Sequence, residues 1–351
     1  MAKKKFYSIK NLLSTDAQYM MLLGKRSNGK SYQVKHQVIE DFLKDGTMFI
    51  YLRRWQRDIK ASAVEYYFND VNVSKVTNGE GEGIRAWQSK IYLYRMNDKG
   101  KREQKIMGMY CALNEAERYK SWAFTGFGNI IYEEFITDQT YLTDEPTRLQ
   151  QFVSTVFRLG KGRVYLVGNT LSRVCPYFHE WSLEGTLKQK QGTIEIYHYH
   201  DFEGDVVDIA VENCENTANK NTMFFGQAGK QIVSGEWDVK AMPHLPKPIN
   251  EYEMVYEVMI VYQAFKFVMQ LLVDENTGGR IIYVYPFTGH RKIHRIITDE
   301  FSDKPNITSC LIKKRRPEMI MIECLSINKV CYSDNLTGTD FMHVLEEMSI
   351  W

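Results

Sequence analysis

The segment Gly24-Lys25-Arg26-Ser27-Asn28-Gly29-Lys30-Ser31 fits G-x-x-x-x-G-K-S/T at every fixed position. Glycines at 24 and 29 let the backbone wrap so that successive N–H groups face phosphate oxygens. Lys30 would reach the outer phosphates of a nucleoside triphosphate, and the Ser31 hydroxyl would hold Mg²⁺. A helix opening at Ser31 turns its positive end toward the same anion. With glycine at its usual frequency, a chance match in a chain of this length arises roughly once in a hundred. The ordinary alternative is a glycine-rich surface turn capped by Ser31.

A phosphate loop alone does not separate kinases from hydrolytic motors. The run Asn129-Ile130-Ile131-Tyr132-Glu133-Glu134-Phe135 is an apolar strand ending in two carboxylates. Glu133 would serve the Mg²⁺ shell, and Glu134 would orient or deprotonate an attacking water. A transferring kinase has no use for a water-activating base, so the pair favours hydrolysis. Its bland reading is an acidic strand end on the surface. Asn169, just after the apolar run 164–167, could sense the terminal phosphate or simply sit in a turn.

These groups need a sheet to hold them. Tyr19-Met20-Met21-Leu22-Leu23 and Thr47-Met48-Phe49-Ile50-Tyr51-Leu52 read as buried strands, as do 129–135 and 163–169. Val34, Val38, Ile39, Phe42 and Leu43 form one stripe of a helix over 31–45, stopped by Gly46. Continuous apolar runs of this kind predict an α/β domain with a mainly parallel sheet. Residues 85–110 instead alternate around Asn97-Asp98-Lys99-Gly100, a β-hairpin inserted in that domain. After about 200 the composition shifts to Asn, Gly and Gln, and Pro243, Pro246 and Pro248 read as a stiff joint. Long strand-like runs over 251–289, broken at 274–279, and a closing helix over 339–349 make a second, strand-rich α+β domain. The expected division is 1–205, a linker at 206–248, and 249–351.

The chain has 351 residues, 44% hydrophobic, which excludes disordered and fibrous classes. Lys plus Arg is 45 and Asp plus Glu is 43, so bulk charge does not bind a polyanion. The distribution is uneven. Residues 1–60 hold 13 basic against 5 acidic side chains, and residues 280–316 hold 9 against 3. Two such regions suit a phosphate-rich partner, although charge runs are more often solvated faces. Six cysteines without a C-x-x-C pair fit a reducing compartment. The most apolar stretch, 254–273, is interrupted by Glu257, Gln263, Lys266 and Gln270, so no membrane span is expected.

Weaker candidates also exist. His198 and His200 share a strand face but lack further ligands at a convincing spacing. His290 and His294, four apart, could pair on a helix, though the surrounding Lys and Arg would repel a cation. Asp274, Asp334 and Asp340 are too scattered for the converging carboxylates of two-metal cleavage, so no nuclease activity is expected.

Taken with Phe49-Ile50-Tyr51-Leu52-Arg53-Arg54, Glu133-Glu134-Phe135-Ile136, Thr155-Val156-Phe157-Arg158 and Pro176-Tyr177-Phe178, the phosphate loop resembles that of the DNA-packaging ATPases of small tailed phages of the phi29 type. The likeness is good over 6–180 and is one of layout beyond 205. It implies an additional-strand catalytic-glutamate P-loop fold (RecA-like), with helices on both faces of the sheet. An RNase H-like C-terminal domain without its metal site would follow. It implies an ATP-hydrolysing, Mg²⁺-dependent motor that moves double-stranded DNA into a procapsid. A homopentameric ring would dock on the portal in the host cytoplasm, with a structural RNA between them, and would be absent from the mature virion. By resemblance, Lys30 and Ser31 bind phosphate and Mg²⁺, Glu134 is the catalytic carboxylate, and Arg158 is an arginine finger reaching the neighbour's ATP. The loop residues Gly24, Lys25, Arg26, Ser27, Asn28 and Gly29 line the nucleotide, with Asn169 opposite. Two positions depart from the pattern. Glu133 stands where an Asp is usual. Gln56 stands where relatives can carry a Lys directed at the neighbour's nucleotide, leaving Arg57, or Arg53 and Arg54, as substitutes. The rival readings are a P-loop kinase acting on a small molecule or nucleoside, and a binding adaptor with a vestigial nucleotide site.

Overall fold

A computed structural model describes residues 7–158, 160–201, 204–215, 237, 239–289 and 291–348. The basic start at 1–6, most of the Asn/Gly/Gln-rich stretch (216–236) and His290 lie outside the described residues. The chain forms two compact units. One comprises Met1–Leu171 with Glu180–Glu236, and the other Ser172–His179 with Trp237–Trp351.

The first unit is built on a nine-stranded sheet. Its strands are β1 (Tyr19–Leu23), β2 (Met48–Arg53), β3 (Gly83–Trp87), β4 (Lys90–Met96), β5 (Arg102–Ala112), β6 (Phe127–Glu133), β7 (Arg163–Val167), β8 (Thr193–His200) and β9 (Val206–Asn213). Their spatial order is β3-β4-β5-β2-β6-β7-β1-β9-β8. The six strands from β5 to β9 in that order run parallel. Antiparallel β3-β4 extends one edge, and β8 closes the other. The expected hairpin over 85–110 is therefore part of the main sheet.

The helices of this unit are α1 (Lys10–Leu13), α2 (Lys30–Asp45), α3 (Ala61–Phe68), α4 (Val73–Val76) and α5 (Glu145–Val156). Val34, Val38 and Ile39 of α2 and Val64 and Phe68 of α3 are buried with Met20, Phe49, Tyr51, Ile131 and Tyr165 in one core cluster. Each such side chain contributes about 1.5–3 kcal/mol by leaving water. Alternate strand residues face the other way. There Tyr132 reaches α5, its hydroxyl donating to Glu145 Oε1 at 2.6 Å. Helices thus cover both faces of the sheet.

The boundary at 205 falls one strand too early. Residues 206–213 are β9, paired parallel with β1 and buried at Ile209, Ala210 and Val211. The composition change near 200 marks the approach to a strand whose partner lies 190 residues upstream, which local reading does not reveal. The run 172–179 leaves the first unit altogether, and Val174 joins the core of the second.

The second unit has a six-stranded sheet of β10 (Tyr252–Tyr262), β11 (Phe265–Asp274), β12 (Arg280–Pro286), β13 (Ile296–Thr298), β14 (Ile307–Thr308) and β15 (Val330–Tyr332). Its order is β14-β13-β10-β11-β12-β15. Strands β10, β11 and β12 form an antiparallel meander, and β13, β14 and β15 add in parallel. Helix α6 (Pro176–Glu180) precedes β8 in sequence; α7 (Arg316–Ser326) and α8 (Asn335–Met348) follow β14 and β15. The segment around Pro243, read as a stiff joint, is bonded to the second unit. Lys240 N donates to Thr339 Oγ1 at 2.9 Å, Met242 N to Asn335 Oδ1 at 3.0 Å, and Tyr332 N to Pro243 O at 2.8 Å.

Candidate nucleotide site

The loop 24–31 joins β1 to α2 at the carboxyl ends of the parallel strands, where open α/β sheets bind ligands. Gly24 and Gly29 have φ of 139° and 101°, a region that side chains with a Cβ avoid. β9 props the loop from the side, Cys214 N donating to Leu23 O at 2.9 Å.

Lys30 is 4% exposed, and its Nζ donates to the carbonyls of Gly24 at 3.0 Å and Lys25 at 2.7 Å. Longer contacts of 3.4 Å run to Asn28 Oδ1 and Asn169 Oδ1. Burial pushes the amine down to about 8, against the opposing pull of Glu133. Asn28 Oδ1 accepts from Lys30 N at 3.2 Å, whereas its buried Nδ2 has no hydrogen-bond partner among the described residues. A buried donor without an acceptor is costly. Here it lies in a loop whose dipoles and cation favour phosphate oxygens, so the residues present fit a nucleotide's phosphates. Loop residues 26–31 line a single cavity of about 690 Å³ together with Asp70, Glu133, Glu134, Gly168 and Asn169, while Gly24 and Lys25 are not among its lining residues.

Glu133 ends β6 and is 7% exposed. Its Oε1 accepts from the Tyr67 hydroxyl at 2.6 Å. Burial raises its carboxyl, while hydrogen bonds from Tyr67 and Ser31 and the charge of Arg53 oppose the rise. Ser31 and Glu133 are thus neighbours, as two groups holding one Mg²⁺ must be.

Glu134 adopts φ 58°, a left-handed conformation that costs a residue with a Cβ about 1 kcal/mol or more. Its N–H donates to Val167 O of β7 at 2.8 Å. Glu134 lines the cavity, and Arg53 Nη2 donates to its Oε2 at 2.5 Å. Gly168 permits the approach of the two strand ends; a Cβ there would stand 2.8 Å from the Phe135 ring.

The structure separates the proposed substitutes for position 56. Arg54 is 6% exposed and committed within its own subunit, to Glu145 and to the carbonyls of Glu134 and Phe135. Burial in that frame removes it as a contact for a neighbour. Arg53 is engaged by Glu134. Arg57 is open, its guanidinium 5.4 Å from the Trp55 ring centroid, and Gln56 begins a short exposed turn beside it.

Arg158 is not brought to this cavity. It follows α5 and precedes β7, at the amino ends of the parallel strands, opposite the loop. It is exposed, its Nη2 donates to Lys120 O at 2.8 Å, and it lines a separate hollow with Trp122, Phe124 and Phe127.

Elsewhere, His198 Nδ1 pairs with Asp208 Oδ1 at 2.7 Å on the edge strand β8. Among the described residues no three His, Cys, Asp or Glu side chains converge as metal ligands. Residues 291–295 are not helical, so His294 has no helical partner. The C-terminal basic cluster is partly spent internally. Arg295 is buried against Glu318 at 2.9 Å, and Arg291 donates to Glu257 at 2.6 Å. Among the described residues no helix is long and apolar enough to cross a membrane.

Sequence reasoning missed Tyr67, the Arg53–Glu134 contact, and the Lys35–Asp70 pair at the cavity rim. Only Arg53 carried a signal, through its place at the end of a strand next to the acid pair.

One strand, β7, lies between the loop strand β1 and the acid strand β6. That order, with a glutamate aimed from β6 at the loop, defines a P-loop nucleotide-binding protein of the additional-strand class. A family model described as "Podovirus DNA encapsidation protein (Gp16)" matches residues 1–337, and the chain belongs to that family of DNA-packaging proteins. It is 23% identical over 316 residues to the DNA packaging protein of Bacillus phage phi29, covering 86% of each chain. It is 31% identical over 171 residues to that of Bacillus phage B103, covering 48% of this chain and 49% of the relative. The bacteriophage phi29 viral genome packaging motor assembly contains a chain of the same fold, with a TM-score of 0.57 at 21% identity, covering 98% of this chain and 99% of that one. The kinase alternative is not favoured by these relatives.

Proposed function

We propose that the chain is the ATP-hydrolysing motor of genome packaging. It would act as a ring of identical subunits that moves double-stranded DNA through the portal of a procapsid in the host cell. The observation that carries this reading is the convergence of Lys30, Ser31, Glu133 and Glu134 on one cavity, from strands separated by β7. Backbone amides of 24–31 and the Lys30 amine would hold the phosphates, and Lys25, Arg26, Ser27 and Asn28 would wall them. Ser31 and Glu133 would hold Mg²⁺, which supplies charge neutralisation between the outer phosphates. Glu134 orients and deprotonates water, and Asn169, beside Lys30, reads the terminal phosphate. Arg158, which does not line its own subunit's cavity, would serve a neighbour's, and Arg57 is the most accessible candidate for a second such contact. A packaging RNA, five-fold symmetry and absence from the finished virion belong to the same reading.

The second unit supports an RNase H-like assignment through its strand order, a three-stranded meander with two strands added parallel to its first. We read it as a nucleic-acid or portal-binding module rather than a nuclease. Asp274 is paired with Lys247 at 2.8 Å, Asp340 with Arg173 at 2.9 Å, and Asp334 Oδ1 accepts from Thr337 N at 2.8 Å. Lys292, Lys313, Lys314 and Arg316 are exposed basic side chains of these clusters that would meet phosphate.

The test is steady-state ATPase activity with and without double-stranded DNA. Glu134→Gln should bind nucleotide normally and lose at least about 100-fold in turnover. Turnover unchanged in Glu134→Gln, or phosphoryl transfer to a nucleoside acceptor in place of hydrolysis, overturns the reading.

A further inference from the structure

We infer that Tyr67 is a positioning residue that sets which oxygen of Glu133 faces the metal position, an inference that rests on the reading of the nucleotide site above. Glu133 carries one methylene more than the aspartate usual at the end of such a strand. That methylene adds a rotatable bond, and a longer carboxylate left to itself spreads over several rotamers. Tyr67 removes the freedom. Its hydroxyl donates to Oε1 at 2.6 Å, and with that oxygen engaged Oε2 is the one left for a metal in the cavity that Glu133 and Ser31 both line.

The tyrosine is itself held from three directions. Its ring lies against that of Tyr51, centroids 4.5 Å apart, and meets Phe68 edge-on at 5.0 Å. Its carbonyl accepts from Lys35 Nζ at 2.7 Å, and the same ammonium stands 4.5 Å from its ring centroid. Lys35 is tied to Asp70 at 2.5 Å. Lys35 follows Ser31 by four residues and so lies on the same face of α2. The helix that carries the hydroxyl ligand therefore also fixes, through Lys35, the residue that orients the carboxylate ligand. Two groups meant for one ion are registered to one rigid element. Partners of metal ligands at this remove are worth about 10–100-fold in metal affinity.

The test is Mg²⁺ titration of fluorescent ADP-analogue binding to the full chain, read alongside analogue binding without metal. Tyr67→Phe keeps the ring and removes the donor. It should raise the Mg²⁺ concentration for half-saturation about 10-fold and leave metal-free binding within about 2-fold. Asp at 133 is too short to keep the bond, so in a Glu133→Asp background Tyr67→Phe should add nothing. The coupling is a ratio of ratios, so any uniform loss of stability cancels. An unchanged titration in Tyr67→Phe, or the same shift in both backgrounds, overturns the inference. Glu133→Gln separates the two readings. If it too leaves the titration unchanged, the assignment of the metal site has failed; if it weakens Mg²⁺ while Tyr67→Phe does not, only the role of Tyr67 has.

Discussion

Arg54 and Glu145, ninety-one positions apart, close a buried two-point ion pair beneath the turn that carries Glu134. Nε meets Oε2 at 2.6 Å and Nη2 meets Oε1 at 3.0 Å. The same guanidinium donates to the carbonyls of Glu134 and Phe135, at 3.2 and 2.7 Å. Glu145 also accepts from the Tyr132 hydroxyl and from Leu142 N. The pair thus ties β2, the end of β6 and the start of α5 into one frame.

Removing one partner leaves a charge in the interior. Arg54→Ala should cost about 3–5 kcal/mol of stability, measured by denaturant unfolding of the first unit. Arg54→Met combined with Glu145→Leu should recover part of that loss, because neither buried charge remains. Equal stability of Arg54→Ala and wild type would show that the pair is not buried in solution.

Lys30 makes nucleotide affinity depend on pH. Burial holds the free amine near 8, and phosphate oxygens beside it would raise that value in the complex. Below 8 the amine is charged in both states, and affinity is level. Above 8 binding must take up a proton, and affinity should fall by up to about tenfold per pH unit. Titrations between pH 7 and 9.5 read this directly, and Lys30→Met should bind weakly with a flat profile.

Arg158 supports a mixing experiment. Arg158→Ala and Lys30→Ala should each lack DNA-stimulated ATPase activity. Together they should regain a measurable fraction, since some interfaces pair an intact finger with an intact loop. No recovery at concentrations where subunits assemble would remove Arg158 from the neighbour's site.

Asp340 should tilt the stability of the second unit with pH. Burial raises its carboxyl to about 6 despite Arg173, with Asp334 adding to the rise. The folded state then binds the proton more tightly than the unfolded one. This contribution is full below about pH 4 and is lost as pH climbs through 6, a change of order 2–3 kcal/mol. The stability difference between wild type and Asp340→Asn, followed from pH 4 to 7, should shrink or reverse in that direction.

Features that are local in chain distance are legible in the residues alone. Gly24 through Ser31 carries its chemistry in eight consecutive residues, and the apolar runs before it and over 129–132 announce buried parallel strands. The stripe of α2 and the stop at Gly46 are equally local, as is the turn at 274–279. Other features emerge only when the chain folds: 206–213 returns to lie beside β1, Arg54 is walled in while Arg57 is not, and Arg158 and Lys30 sit at opposite ends of one sheet. So do the meetings of Arg53 with Glu134 and of Tyr67 with Glu133. Those facts depend on which strands become neighbours and on which side chains lose water together. No spacing along the chain encodes them, because a hydrogen bond at 2.6 Å is set by the three-dimensional register of separate elements.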